Sequence, residues 1–173
     1  MTVSNASYLK TFYDKTVAQG AKVISSDFTL EIEGFEHVYL MCKQAPWPEL
    51  SSQGEIEIST PLGSSYAQPQ QIRVYGQGPL TLYENVAGDA DNLLLSLIAQ
   101  SGAYQGNRGT FNCKIYEGTP DKYLRYKRLI DCFAVFDTID RDWENRTQPL
   151  LLSGTLHYHY FGEVVEGNST DYS

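Results

Sequence analysis

Two histidines, His157 and His159, have the spacing in this sequence that comes nearest to a metal site. Residues two apart on a β-strand share a face, so both imidazoles could approach one zinc ion. A third ligand would have to be His37 or a distant carboxylate, and no spacing supports either choice. Imidazoles placed among tyrosine rings at a surface explain the pair more simply. We therefore predict no metal site and no cofactor.

Carboxylates at Asp140, Asp142 and Glu144 alternate as they do at the start of a calcium-binding loop. The glycine and the distal glutamate that close such a loop are missing. A hydrolase would need a carboxyl group in apolar surroundings that raise its pKa, and no carboxylate here has that setting. The signature motifs of hydrolases and phosphate-binding loops are also missing. We predict that the protein is not an enzyme, with a hydrolase acting through Asp140 or Asp142 as an alternative.

A basic stripe interrupts an acidic chain between residues 122 and 128, where four cations interleave with two tyrosines. This pattern is typical of strands that bind single-stranded nucleic acid. The whole sequence, however, has 13 lysines and arginines against 21 aspartates and glutamates, a net charge of −8. Cations that neutralise phosphates supply most non-specific affinity for nucleic acid, so binding of nucleic acid is disfavoured. We interpret Arg125, Lys127 and Arg128 as a contact for an acidic neighbour, such as another copy of the chain.

The elements that position these residues are mostly antiparallel strands. The 173 residues, 42% of them hydrophobic, are enough for one domain with a sizeable core. An amphipathic helix is predicted over 5–19, ended by Gly20. A second helix is predicted over 89–101, with Asp89 as its N-cap and Gly102 as its stop.

Alternation of apolar and polar residues predicts the strands. The first, 28–33, should turn at Gly34 into a hairpin with 38–43. Further strands are predicted at 55–60, 71–75, 80–83, 110–116, 123–136 and 150–161. The polar segment 61–70 is too long for a tight turn and is predicted to be a loop. Residues 1–163 form the predicted β domain, and 164–173 a solvated tail.

Two further features are a segment in which prolines flank a tryptophan, and a set of three scattered cysteines. Prolines flank Trp47 on both sides, so residues 45–49 are predicted to be a rigid extended joint. Cys42, Cys113 and Cys132 are odd in number and scattered, which predicts reduced, buried thiols. No signal peptide or membrane-spanning run is predicted.

The order of these elements resembles the tail tube proteins of contractile-tailed bacteriophages and, more distantly, the tube protein of type VI secretion systems. The matching pieces are the N-terminal helix, the strand 28–32, the segment 41–46 that runs from a strand into a proline bend, the strand 55–59, the loop 60–70, the paired strands to Tyr83, the helix 89–101 and the closing stretch 151–161 with its aromatic end. The resemblance covers residues 5–163. The joint around Trp47 and the basic stripe depart from the family pattern.

This resemblance implies a small antiparallel β-sandwich or partial barrel with one flanking helix and a short N-terminal helix. It implies a structural protein whose copies, six to a ring, stack into a virion tail tube that conducts DNA into the host. The implied partners are other copies of the chain and the tail sheath and baseplate proteins, with assembly in the bacterial host cytoplasm, no membrane and no specific binding of DNA. One alternative is an initiator ring of the baseplate with the same fold. Another is a monomeric carbohydrate-binding sandwich that uses Trp47 and Trp143.

The resemblance also implies roles for two sets of residues. The polar loop would contact the neighbouring ring, through Pro61, Leu62, Gly63, Ser64, Ser65, Tyr66, Ala67, Gln68, Pro69 and Gln70. Acidic residues that share a strand face are candidates for the channel wall or, alternatively, for the solvated outer surface, namely Glu31, Glu33, Glu55 and Glu57. An acidic wall repels DNA and so favours its passage over its binding.

Overall fold

The computed structural model describes residues 6–100 and 109–168. Two α-helices lie in these ranges, α1 (Ala6–Ala18) and α2 (Asp89–Gln100). Glu36–Met41 and Pro61–Gly63 form short 3-10 helices. The strands, in chain order, are β1 (Phe28–Ile32), β2 (Cys42–Gln44), β3 (Ser51–Ser52), β4 (Glu55–Ser59), β5 (Ser65–Pro69), β6 (Ile72–Arg73), β7 (Tyr75–Tyr83), β8 (Phe111–Gly118), β9 (Tyr123–Phe136), β10 (Leu151–His159) and β11 (Val164–Glu166).

Seven of the strands form one antiparallel sheet in the order β1-β8-β9-β10-β7-β2, with β11 paired to β9. The long strand β9 joins the two halves of this sheet. Its first half pairs with β8 and β11, and its second half pairs with β10. The register shifts next to Asp131, whose φ of 47° places it in the left-handed region. A bulge of this kind bends a strand and increases its twist, which lets one sheet curl around a core.

The core lies inside the curl and is closed by α2. Ala90, Leu93 and Leu97 recur at helical spacing and are buried against the sheet. Strand residues buried with them include Leu30, Leu80, Ile115, Leu129 and Leu156. The helices predicted over 5–19 and 89–101 are confirmed within the described residues. Gly102, the predicted stop of the second helix, lies outside those residues.

A two-stranded ribbon, residues 51–73, is built from β3 with β6 and β4 with β5. Two backbone hydrogen bonds join the two parts, from Gln53 to Gln71 and from Gln70 to Gly54, each 2.9 Å. The prediction of a loop over 61–70 was therefore wrong, because β5 occupies half of it. Every residue of β5 is exposed, so it lacks the apolar alternation from which strands are recognised.

The hairpin predicted around Gly34 was also wrong. Residues after it form a 3-10 helix in which Val38 is buried and Leu40 is exposed. β1 pairs with β8, and β2 pairs with β7 on the opposite edge of the sheet. The apolar residues of this segment meet the core at helical spacing, which local alternation did not reveal.

Two smaller predictions at element ends also differ from the structure. Glu84, rather than Asp89, caps α2: its carboxylate accepts the amides of Ala90 and Asp91 at 3.2 and 3.0 Å. A carboxylate at that end is favoured by the helix dipole. β11 extends the sheet into the segment predicted as a solvated tail, whose residues 169–173 lie outside the described ranges.

Candidate assembly surfaces

The side chain of Lys127 is buried at the root of the ribbon. Its Nζ atom donates to the carbonyl oxygen of Pro48 and to Oε1 of Glu49, each at 2.7 Å. The same nitrogen lies 4.7 Å from the ring centroid of Trp47 and 5.4 Å from that of Tyr160. We call these five residues the lysine anchor. A buried cation is tolerated when it is fully partnered, and here two acceptors and two aromatic faces partner it.

The lysine anchor fixes the direction in which the ribbon leaves the body. Trp47 donates from Nε1 to Oε1 of Glu49 at 3.1 Å, so one carboxylate holds both the joint and the lysine. The hydrogen bond from Lys127 lowers the pKa of Glu49. The stabilisation from this ion pair is therefore complete above the ordinary carboxyl pKa of about 4.3 and is lost as the pH falls through the lowered value.

The proline joint is packed directly onto β7. Pro46 is buried and sits over Gly78, where an added Cβ would clash with the Cβ of Pro46. Glycine at this strand position therefore allows the joint to approach the sheet closely. The rigid joint predicted from the two prolines has a partner on the sheet that the sequence did not indicate.

Strand alternation divides the predicted basic stripe between two faces. Arg125 and Lys127 lie on the face of β9 that also carries Leu129, while Arg128 points to the opposite face. Arg125 makes a forked pair with Glu117, at 2.7 and 3.0 Å, and Arg128 lies 3.4 Å from Glu33. Lys127 is only 5% exposed and is engaged within its own chain. Arg125 and Arg128 keep the more exposed side chains of the three.

The outer face of β1, β8 and β9 is polar and internally paired. Glu31 lies 4.0 Å from Lys114, and Glu33 lies 3.4 Å from Arg128. Three tyrosines adjoin these pairs with ring centroids 5.1 to 5.5 Å apart, namely Tyr116, Tyr123 and Tyr126. Glu31 of β1 and Glu33, which directly follows β1, thus each lie beside a cation, from β8 and β9 respectively.

The outer face of β9, β10 and β7 instead carries a row of rings. His157 stacks on Phe133 with centroids 4.6 Å apart and ring planes 6° apart. On its other side it stacks on Tyr75, which also hydrogen-bonds to its Nδ1 atom. Nδ1 of His159 lies 3.2 Å from the carbonyl oxygen of Asp131. Imidazoles among tyrosine rings were predicted, but only the register of three strands shows that Phe133 and Tyr75 are the rings beside His157.

The ribbon has two unlike faces. Ile56, Ile58 and Tyr66 share one face, since Ile58 pairs with Tyr66 and Ile56 lies two residues away. Glu55 and Glu57, the other two channel candidates, share the opposite face. Ile56 is 42% exposed and Tyr66 54%. At the tip, the side chain of Leu62 is fully exposed, with a φ of 72°.

The structure also describes the residues considered for a metal site, for carbohydrate binding and for hydrolysis. Within residues 6–100 and 109–168, no group of three or more His, Cys, Asp or Glu side chains could hold a metal ion. Trp143 is 80% exposed in a loop, whereas Trp47 is covered by Lys127. Asp142 is part of a turn in the acidic loop, where its carboxylate accepts the amide of Glu144 at 2.9 Å.

The three cysteines are free thiols, as predicted. Cys113 and Cys132 are buried, and burial raises the pKa of Cys113 well above its ordinary value. Cys42 is half-buried, and its pKa is raised to about 12, also by burial. No helix in the described part of the chain is both long and apolar enough to cross a membrane.

Comparison with known proteins gives a consistent result for the fold. No family model and no curated protein sequence matches this chain. A chain from the sheath-tube complex of the PVC extracellular contractile injection system, in its extended state, superposes with a TM-score of 0.55 at 14% identity, over 87% of this chain and 95% of that chain. A chain from the baseplate of the anti-feeding prophage gives 0.54 at 13% identity, over 85% and 97%. A chain from the tube-terminating cap of the anti-feeding prophage gives 0.52 at 14% identity, over 84% and 90%.

The chain therefore has a mainly antiparallel β fold of the tail-tube type, as the order of its elements predicted. The same fold occurs in a chain of the PVC sheath-tube complex and in chains of the baseplate and the tube-terminating cap of the anti-feeding prophage.

Proposed function

We propose that this protein is a structural subunit of the tail tube of a contractile-tailed bacteriophage or a related injection machine. Six copies close a ring, rings stack into a tube, and DNA passes through the channel without specific binding. The tube works within a virion tail together with sheath and baseplate proteins and is assembled in the host cytoplasm. The protein has no catalytic role.

The observation that carries the proposal is the tail-tube fold itself, shared over 87% of the chain with a chain from a sheath-tube complex. The open sheet supports it. Within the described residues, β1 and β2 end the strand order of the sheet, and β11, which pairs only with β9, has a further open edge. Exposed edges invite pairing with further strands, and closing copies into a ring removes them.

The ribbon supports stacking of the rings. Its apolar face exposes Ile56 and Tyr66, and its tip exposes Leu62, at a distance from the core of its own chain. Burying apolar surface of this kind favours association. We assign the contact with the neighbouring ring to residues 61–70 at the far end of this ribbon, extended by Ile56 and Ile58.

Charge supports passage rather than binding in the channel. Six copies at −8 would carry about −48, enough to shape the potential in a narrow pore. Glu31 and Glu33 are beside Lys114 and Arg128, whereas Glu55 and Glu57 are not in a described ion pair. We propose that all four carboxylates face the channel or its mouth, with the glutamates of the ribbon supplying the less compensated charge.

Negative-stain electron microscopy of the purified protein over a range of concentrations tests the proposal. We expect rings and stacked tubes. In Ile56→Asp, a charge on the apolar face of the ribbon should abolish stacking but leave single rings. The matched control is Leu95→Asp, which puts the same charge on an exposed apolar residue of α2, outside the ribbon. Compact single particles at every concentration, with or without a baseplate fraction as template, would contradict the proposal.

A second candidate within the same fold is the initiator ring of a baseplate. It is favoured by the likeness to a baseplate chain, at a TM-score of 0.54 over 97% of that chain. The same microscopy separates the two roles. A tube subunit gives stacks of many rings, whereas an initiator gives isolated rings that do not stack into tubes at high concentration.

A further inference from the structure

Helix α1 presents an apolar stripe that its own chain leaves in solvent. Every residue from 6 to 26 is exposed. Leu9, Phe12, Tyr13 and Val17 are spaced as neighbours on one helix face and are 48% to 68% exposed. An isolated helix of thirteen residues is only marginally stable in water, so this one needs a partner surface for its stripe.

A groove of matching character lies between α2 and the end of β9. β8 begins at Phe111, opposite Cys132, so the last four residues of β9 extend beyond β8. The space left beside α2 is about 450 Å³ and is lined mainly by apolar side chains, among them Leu94, Ile98, Phe111, Phe133 and Phe136. Ile98 is accessible at 67% exposed, whereas Phe133 is shared with the outer face of β9, where it stacks on His157. We call this the α2 groove.

The charges of the helix and of the segments around the α2 groove are opposite. The lining residues are uncharged, but the segments that carry them, residues 84–113 and 129–140, contain six carboxylates and one arginine in the sequence. Asp91 lies one turn from Leu94 on α2, and Asp137 directly follows Phe136. Residues 6–24 instead contain three lysines and one aspartate, and Lys15 lies 5.5 Å over the ring of Phe12. Complementary charge of this kind selects an orientation on docking.

We propose that α1 of one copy docks into the α2 groove of the adjacent copy in the ring. α1 leads into β1, which is an edge strand, and β8 separates β1 from β9. The helix therefore leaves the body at an edge where a next copy would join. The inference rests on the proposed function for its choice of neighbour, and it adds a contact that does not involve the ribbon.

Cysteine cross-linking between two different variants tests this contact. Phe12→Cys and Ile98→Cys are prepared separately, mixed and oxidised, and disulfide-linked dimers are measured on non-reducing gels. A mixture of Thr11→Cys, on the other helix face, with Leu95→Cys, on α2 but away from the groove, is the matched control. The parent chain with its three native cysteines gives the background. We expect dimers in the first mixture and background only in the control.

A charge variant gives a second readout. Ile98→Asp should raise the Kd of self-association by about tenfold or more, since a charge would enter the docked apolar face. Leu95→Asp, which is similarly exposed at 59%, should change that Kd by less than about twofold. Equal effects of the two variants would overturn the proposal.

Electron microscopy of the same mixtures separates this inference from the proposed function. Rings that form without the cross-link would overturn the docking of α1, while the proposed assembly into rings would stand. Disulfide-linked dimers without rings would support the docking of α1 and contradict the proposed assembly into rings. A disulfide formed within one chain that carries both Phe12→Cys and Ile98→Cys would show that α1 folds back on its own groove, which also overturns the proposal.

Discussion

Lys127 shows how one buried charge can connect two parts of the chain that are distant in sequence. Its ammonium group reaches the joint at Trp47 and the carboxylate of Glu49, nearly eighty residues away. Removing one partner of a buried ion pair leaves the other uncompensated, whereas an apolar isostere often substitutes at little cost. Here Glu49 is 71% exposed, so water can solvate it if the lysine is lost.

The loss of stability on replacing Lys127 should therefore depend more on the size and shape of the new side chain than on the loss of the charge. We expect Lys127→Ala to lower the free energy of unfolding by about 2 to 4 kcal/mol, because it leaves a cavity beside two rings and an unpaired carbonyl. Lys127→Met should cost less than about 1.5 kcal/mol. Urea unfolding measures both. Lys10→Ala, at an exposed position of α1, is the control and should change stability by less than about 0.5 kcal/mol. Equal losses in the Ala and Met variants would show that charge dominates.

At the scale of elements, the joint and the ribbon depend on how closely the chain packs against β7. Pro46 occupies the space above Gly78 that a side chain would fill. β7 therefore accepts glycine at a position where most strands would carry a larger residue, and the joint in return orients the ribbon. The ribbon itself has few contacts to the body, so its direction is set at its root.

Gly78→Ala should force Pro46 away from the sheet. We expect the free energy of unfolding to fall by about 1 to 3 kcal/mol, the usual cost of overpacking. Gly54→Ala is the matched control, since a Cβ there meets only the side chain of Gln70 at 3.6 Å. Thermal and urea unfolding of the two variants give the comparison. A neutral Gly78→Ala would mean that the joint moves freely over β7.

The whole molecule leaves two elements outside its core. α1 and the ribbon are both exposed, and each carries apolar residues at regular spacing. The charges on the outer face of β1, β8 and β9 are paired within the chain, although Nε of Arg128 is buried there without a hydrogen-bond partner among the described residues. This contrast points to assembly through the projecting elements.

Hydrogen exchange should therefore distinguish the free from the assembled protein. In the monomer, amides of α1 and of residues 60–70 should exchange quickly, because they lack packing that resists local opening. On assembly both segments should become protected, while amides of the core strands β8 and β10 change little and serve as the internal reference. Strong protection of both segments already in a monomer would contradict the assembly model.

The sequence by itself determined the fold class, both helices and most of the core strands, because their apolar residues repeat with the period of the element that buries them. Helix α2 is the clearest case, since Leu93 and Leu97 face the core at helical spacing. The tertiary structure alone decided what depends on long-range register: the pairing of β2 with β7, strand β5 in a fully exposed ribbon, and the ring row around His157. It also decided which residues of the basic stripe are buried and which are exposed. Alternation along β9 sends Lys127 inward and Arg128 outward, but only the packing of the distant joint supplied the partners that make a buried lysine stable.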